Sequence, residues 1–157
     1  MSASVQHVPS SVVRPLRTQV LRPAWTDRLA TYPEDETVAV HIAAYIDGDD
    51  APHGVGTIYA EAPPASLADE IPAWAYATGA AWRLRGMATS EAARGTGLGR
   101  DVLEACFETV RQAGGQVLWC NARVGALGFY RRLGLVTAGP AFDIPEIGGH
   151  YVMWRAV

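Results

Sequence analysis

Leu98, Val102, Cys106 and Val110 recur at every fourth residue, while Arg100, Asp101, Glu104, Glu108 and Arg111 fill positions between them. That pattern predicts an amphipathic helix, closed by Gly114 and Gly115. Ahead of it, Trp82 to Thr89 reads as a strand, with Arg83 and Arg85 on one face and Leu84 on the other. Thr37 to Ile46 is the clearest strand, through Val38, Val40, Ile42 and Tyr45. Asp47-Gly48-Asp49-Asp50 is a turn, and Gly54 to Ala60 returns as the second arm of a hairpin. Gln116 to Asn121 is a short apolar strand. Arg123 to Leu133 places Ala126, Phe129, Tyr130 and Leu133 at helical spacing and stops at Gly134. Leu135 to Thr137 is a short strand, Gly139 to Gly149 a loop, and His150 to Val157 a final strand.

The first third is less regular. Met1 to Ser11 reads as a loose tail. Val12 to Leu21 carries Val13, Leu16, Val20 and Leu21 at helical spacing, with Pro15 suited to a first turn. Ala24 to Glu36 reads as a loop whose Trp25 and Tyr32 could cover a cleft. Glu61 to Ala75, with Pro63, Pro64 and Pro72, reads as a surface loop. No internal repeat is present.

Composition narrows the class. A chain of 157 residues, 49% hydrophobic and 18% charged, suits one packed domain, here residues 12–157 after a tail of 1–11. A formal net charge of -3 argues against nucleic acid or an anionic membrane as the main partner. Cys106 and Cys120 lie in apolar stretches and read as buried free thiols. No ligand cluster suggests zinc or another metal. No apolar run approaches the roughly 18 residues of a membrane span. The polar N-terminus shows no secretion signal, so a cytoplasmic location is expected.

The chemistry is concentrated between strand and helix. In Arg94-Gly95-Thr96-Gly97-Leu98-Gly99 the glycines let the backbone approach a bulky anion, and Arg94 adds positive charge. The helix that starts there directs unpaired N–H groups and its positive dipole end at the same place. Together they make an anion site that needs no metal. The segment lacks the Gly-Lys-Ser/Thr ending of a P-loop. It also lacks the glycine spacing and distant acidic residue of a dinucleotide fingerprint.

This segment resembles the acyl-CoA pyrophosphate loop of the GNAT superfamily of N-acetyltransferases, whose pattern is Arg/Gln-x-x-Gly-x-Gly/Ala. Leu84-Arg85-Gly86-Met87-Ala88-Thr89 resembles the strand before that loop, and the gap from Thr89 to Arg94 is the family's usual one. Ala126-Leu127-Gly128-Phe129-Tyr130-Arg131-Arg132-Leu133-Gly134-Leu135 resembles the family's Phe-Tyr-x-x-x-Gly-Phe signature. Two such motifs, in the family's order, support each other far more than either does alone.

The resemblance implies an α/β fold: a mixed, mostly antiparallel central sheet with one splayed parallel strand pair, flanked by helices. The family opens with a strand before its first helix, and none is legible here. The implied reaction moves an acetyl group from acetyl-CoA directly to a primary amine. The pyrophosphate would sit on Gly95, Thr96, Gly97, Leu98, Gly99 and Arg100, beside Arg94. The pantetheine arm would lie along Met87, Ala88 and Thr89, with an N–H near Ala88 polarising the thioester carbonyl. Tyr130 would be the general acid to the leaving thiolate. The family's pantetheine-contacting Asn, seven positions before the Tyr, is Arg123 here, while Asn121 stands two residues earlier; either could serve. Glu91, Glu70, His41, His150 and water remain open as the base, although His41, inside a strand, reads better as structural. The rival readings are an acyl-CoA-binding sensor without turnover and a structural α/β domain. The exposed edges of a mixed sheet would allow a homodimer.

Overall fold

The structure, a computed structural model, describes residues 3–157. Seven strands form a sheet in the order β1-β2-β3-β4-β5-β7-β6. They are β1 Ala3–Val8, β2 Val40–Ile46, β3 Gly54–Ala60, β4 Ala81–Thr89, β5 Val117–Arg123, β6 Val136–Ile144 and β7 Gly148–Ala156. The helices are α1 Ser10–Leu21, α2 Leu98–Gln112 and α3 Leu127–Arg132. β1 with β2, β2 with β3, β5 with β7 and β6 with β7 are antiparallel, and β4 with β5 is parallel. This is the mixed, mostly antiparallel sheet with one parallel pair that the sequence implied.

The chain clusters into two compact units. The first takes in the chain through Tyr59 together with Arg85–Phe107. Its apolar cluster joins Val13 and Leu16 of α1 to Ala43 of β2, Val55 of β3 and Ala88 of β4. The second unit holds Ala60–Leu84 and Glu108–Val157. Its cluster joins Leu67, Ile71 and Ala75 to Ala81, Val117, Trp119, Ala138 and Val152.

Several expectations change. Of the tail expected over residues 1–11, Ala3–Val8 is a strand, paired with β2 from Ala3↔Ile46 to Val8↔His41. Its side chains are mostly exposed, so backbone pairing rather than an apolar face forms this strand, and no alternation betrays it. Met1 and Ser2 lie outside the described residues. α1 starts earlier than predicted and takes Pro15 into its interior. β2 starts later, because the Glu34 carbonyl accepts from the amides of Thr37, Val38 and Ala39 and holds them in a turn.

Glu61 to Ala75 is not merely a surface loop. Two 3-10 turns, Ala65–Leu67 and Ala73–Tyr76, carry Leu67 and Ala75 inward, and Ile71 between them is buried too. Gly139 to Gly149 is largely strand, forming a hairpin with β7. Its register shifts between Ala138 and Phe142, so the Gly139-Pro140 pair that suggests a loop sits in an irregularity of the pairing. The helix predicted over 123–133 is a 3-10 turn, Val124–Ala126, followed by the short α3.

Candidate active site

The predicted glycine turn forms in the first unit. β4 ends at Thr89, a 3-10 turn covers Glu91–Ala93, and α2 starts at Leu98. Gly95 and Gly97 have φ of 79° and 86°, which L side chains adopt only under strain. Gly99 differs, because it already lies within α2 and needs no such freedom. The Thr96 hydroxyl donates to the Ala93 carbonyl and accepts from the Leu98 amide, which fixes the turn. The Asp101 amide closes the first helical bond on the Gly97 carbonyl, 3.1 Å away. Among the described residues, the amides of Gly97, Gly99 and Arg100 have no backbone acceptor. These are the donors a helix N-terminus leaves for an anion. Arg94 and Arg100 are exposed beside them. A Cβ placed on Gly95 would meet nothing within 4 Å, so that side of the turn is open. Met87, Ala88 and Thr89 lead into the turn, Ala88 buried and its two neighbours half-buried.

A second construction in the same unit had no sequence signal. Arg17 of α1 is fully buried and binds Asp35 with both terminal nitrogens, at 2.9 and 3.1 Å. It also donates to the Ala30 carbonyl and to the Thr57 hydroxyl. Thr57 Oγ1 lies 2.8 Å from His41 Nδ1, and His41 Nε2 lies 2.9 Å from the Asp35 carbonyl. A carbonyl only accepts, so His41 carries its proton on Nε2, and the Thr57 hydroxyl donates to Nδ1. Both ring nitrogens are thereby used, which confirms a structural His41. Tyr32 packs against the Arg17 guanidinium at 4.1 Å and that of Arg85 at 3.8 Å, so it is pinned rather than poised as a cover. Gly86, with φ 63°, makes room: a Cβ there would lie 2.7 Å from Arg17 Nε. Burial would raise the Asp35 carboxyl. The Arg17 side chain, the Tyr32 amide and the charges of Arg17 and Arg14 outweigh it and hold the group below the usual carboxylate range.

Asn121, Arg123 and Tyr130 belong to the second unit. β5 pairs with β4 from Ala81↔Val117 to Leu84↔Cys120, and with β7 from Val117↔Ala156 to Arg123↔His150. Alternation therefore puts Trp119, Asn121 and Arg123 on one face, together with Val152 and His150 of β7, and Cys120 on the other. Tyr130 is buried on α3, set edge-on to Phe129, and its hydroxyl hydrogen-bonds the Cys120 thiol. Burial pushes Cys120 and Cys106 up to about 12, so both stay protonated thiols, with Tyr130 and Arg83 opposing the shift at Cys120. Of the other proposed bases, Glu70 accepts from the Gly139 amide at 3.0 Å and Glu91 is exposed in the 3-10 turn after β4. Among the described residues no group of His, Cys, Asp or Glu is arranged to hold a metal ion. No helix there is long and apolar enough to cross a membrane.

A glycine turn with free amides at a helix N-terminus, after a strand of a mixed sheet with one parallel pair, defines the class. The sequence matches the Acetyltransferase (GNAT) family over residues 12–135, and the chain belongs to that family. It is 32% identical over 143 residues to YitI of Bacillus subtilis (strain 168), described as an uncharacterized N-acetyltransferase, covering 90% of this chain and 88% of YitI. A Lactobacillus plantarum crystal structure superposes with a TM-score of 0.74 at 18% identity, covering 99% of both chains. Escherichia coli ElaA gives 0.71 at 16% identity, over 98% of this chain and 99% of that one. At such identities the two structures speak to the fold alone.

The sequence missed the Arg17, Asp35, Thr57 and His41 set because its members come from α1, a loop, β3 and β2. No spacing rule joins them.

Proposed function

We propose that the protein is an N-acetyltransferase that moves an acetyl group from acetyl-CoA directly to a primary amine, with Tyr130 as general acid. The observation that carries this reading is the set of unbonded amides at Gly97, Gly99 and Arg100. They suit a diphosphate, as do the exposed Arg94 and Arg100 side chains. Gly95, Thr96 and Leu98 complete the same turn. Met87, Ala88 and Thr89 would offer backbone groups to the pantetheine arm, and the Ala88 amide would polarise the thioester carbonyl. Asn121 and Arg123 share a face of β5 from which a side chain could reach pantetheine. The amine attacks the thioester carbon and gives up a proton to a base, the carbon–sulfur bond breaks, and the departing sulfur takes the Tyr130 proton, which solvent then restores. Membership in the family and the 32% identity to YitI support this chemistry without naming the acceptor.

The test separates binding from turnover. Tyr130→Phe is expected to lower kcat by about 100-fold or more, the usual share of a general acid. The rise in melting temperature on adding coenzyme A should stay near the wild-type value. Unchanged turnover would remove Tyr130 from the role. Wild-type protein that gains stability from coenzyme A yet releases no thiol with any amine would point instead to an acyl-CoA sensor.

A further inference from the structure

Three histidines have described partners, and they divide by what is left for a proton. His41 spends both ring nitrogens inside the network of Arg17. His53 spends both as well, on the Ser90 hydroxyl at 2.7 Å and the Asp49 carboxylate at 2.7 Å. His150 differs. Its Nδ1 lies 2.7 Å from the Gly148 carbonyl, which can only accept, so the proton resides on Nδ1 and Nε2 keeps its lone pair.

No described residue hydrogen-bonds that Nε2. Nor does it belong to the fully enclosed, unpartnered side-chain atoms, which among the described residues are on Arg17, Glu34 and Arg83. The ring itself is held still: it is 4% exposed and stacks on Phe142 at 5.8 Å. A fixed imidazole with one nitrogen anchored to backbone and the other open is built to accept a proton.

Its place within the second unit is beside the last residue of β5. His150 stands opposite Arg123 and shares the face of β5 that carries Asn121. Cys120, the partner of the Tyr130 hydroxyl, points from the other face. Along β5 the phenol thus stands at Cys120 on one face, and the imidazole stands on the other face at Arg123, the last residue of the strand.

We propose that His150 is the general base, a catalytic residue that takes the proton from the acceptor nitrogen. The inference rests on the acetyltransferase reading given above. Nε2 removes a proton from the amine as the new carbon–nitrogen bond forms and the carbon–sulfur bond breaks. The sulfur leaves with the Tyr130 proton. His150 then yields its proton to solvent, and Tyr130 regains one from solvent. The net change is thioester and amine to amide and thiol. The groups around the ring that can alter its charge balance are Arg123 across β5, Asp143 beside Phe142 on β6, Glu146 in the following turn, and Tyr151 on the opposite face of β7.

The experiment compares wild type, His150→Gln and His150→Ala over a range of pH. Acetyl-CoA is supplied with a panel of free amino acids, aralkylamines, diamines and a peptide with a free N-terminus. His150→Gln is expected to lose about 100-fold in kcat, to lose the acid-side fall of the wild-type rate, and to keep the coenzyme A-induced rise in melting temperature. Added imidazole is expected to restore part of the rate of His150→Ala. A His150→Gln enzyme with wild-type rate and an unchanged acid-side fall would overturn the proposal. Intact wild type gives a reading that does not depend on the variants folding. Diethyl pyrocarbonate should modify His150 as well as the exposed His7, and turnover should fall in step with modification of His150, followed by peptide mass spectrometry, and not with that of His7. An unmodified His150 in active protein would overturn the proposal too. Wild type that releases no thiol with any amine would instead sink the acetyltransferase reading, and this inference with it.

Discussion

The Arg17 network and the turn from Arg94 to Arg100 lie in the same compact unit and treat polar groups in opposite ways. Around Arg17, both terminal nitrogens, both Asp35 oxygens, the Thr57 hydroxyl and both His41 nitrogens find partners inside the protein. At the turn, charges face solvent and the amides of Gly97, Gly99 and Arg100 are left without backbone acceptors. Buried polar groups cost stability unless satisfied, so the first set is a structural device that tolerates no missing member. Open donors at a helix N-terminus cost little in water, so the second set can wait for a ligand. The contrast separates a closed structural set from an open one.

The strongest way to break the contrast is to remove one member of the closed set. Asp35→Asn leaves the Arg17 charge buried without its counter-charge and should cost about 3–5 kcal/mol, the usual loss when one partner of a buried pair is taken away. Chemical denaturation would measure it, and a loss under 1 kcal/mol would show that Arg17 relaxes to solvent. A milder route is acid. The folded Asp35 carboxyl titrates below its unfolded counterpart, so its stabilisation is complete above the unfolded pKa, about 4, and is lost as the pH falls through the folded one. Melting temperature should therefore drop on acidification, and Asp35→Asn should flatten that drop. The smallest stability effect belongs to the open set. Gly97→Val places a β-branched residue at φ 86° and should cost about 1–3 kcal/mol. The added Cβ itself would nevertheless meet only Arg100 Nη2, at 3.7 Å. Its larger consequence should be loss of the coenzyme A-induced melting shift, which Asp35→Asn should retain wherever it folds.

The legible parts share one property, that their signal is local. α2 was readable because its apolar positions recur within one helix, and β3 because turn residues bracket it. The glycine turn was readable because a left-handed backbone immediately ahead of a helix calls for glycine. β1 left no trace, because a strand held by backbone pairing on β2 needs no apolar alternation. β6 misled, because Gly139 and Pro140 carry the composition of a loop while sitting in an irregular stretch of strand pairing. Among the functional candidates, Tyr130 was marked by its motif. The sequence leaves His150 one option among several, since nothing in it says which ring nitrogen the Gly148 carbonyl occupies.

The sequence by itself determined the family, the helix that follows the glycine turn and the sheet's mixed character, because each is written in neighbouring residues whose spacing has few structural solutions. The tertiary structure alone decided which of the charged and basic side chains are spent inside the protein and which are left open. Arg17, Asp35, Thr57 and His41 become partners, and His150 keeps a lone pair, only when segments far apart in the chain bring or fail to bring an acceptor within about 3 Å, the reach of a hydrogen bond.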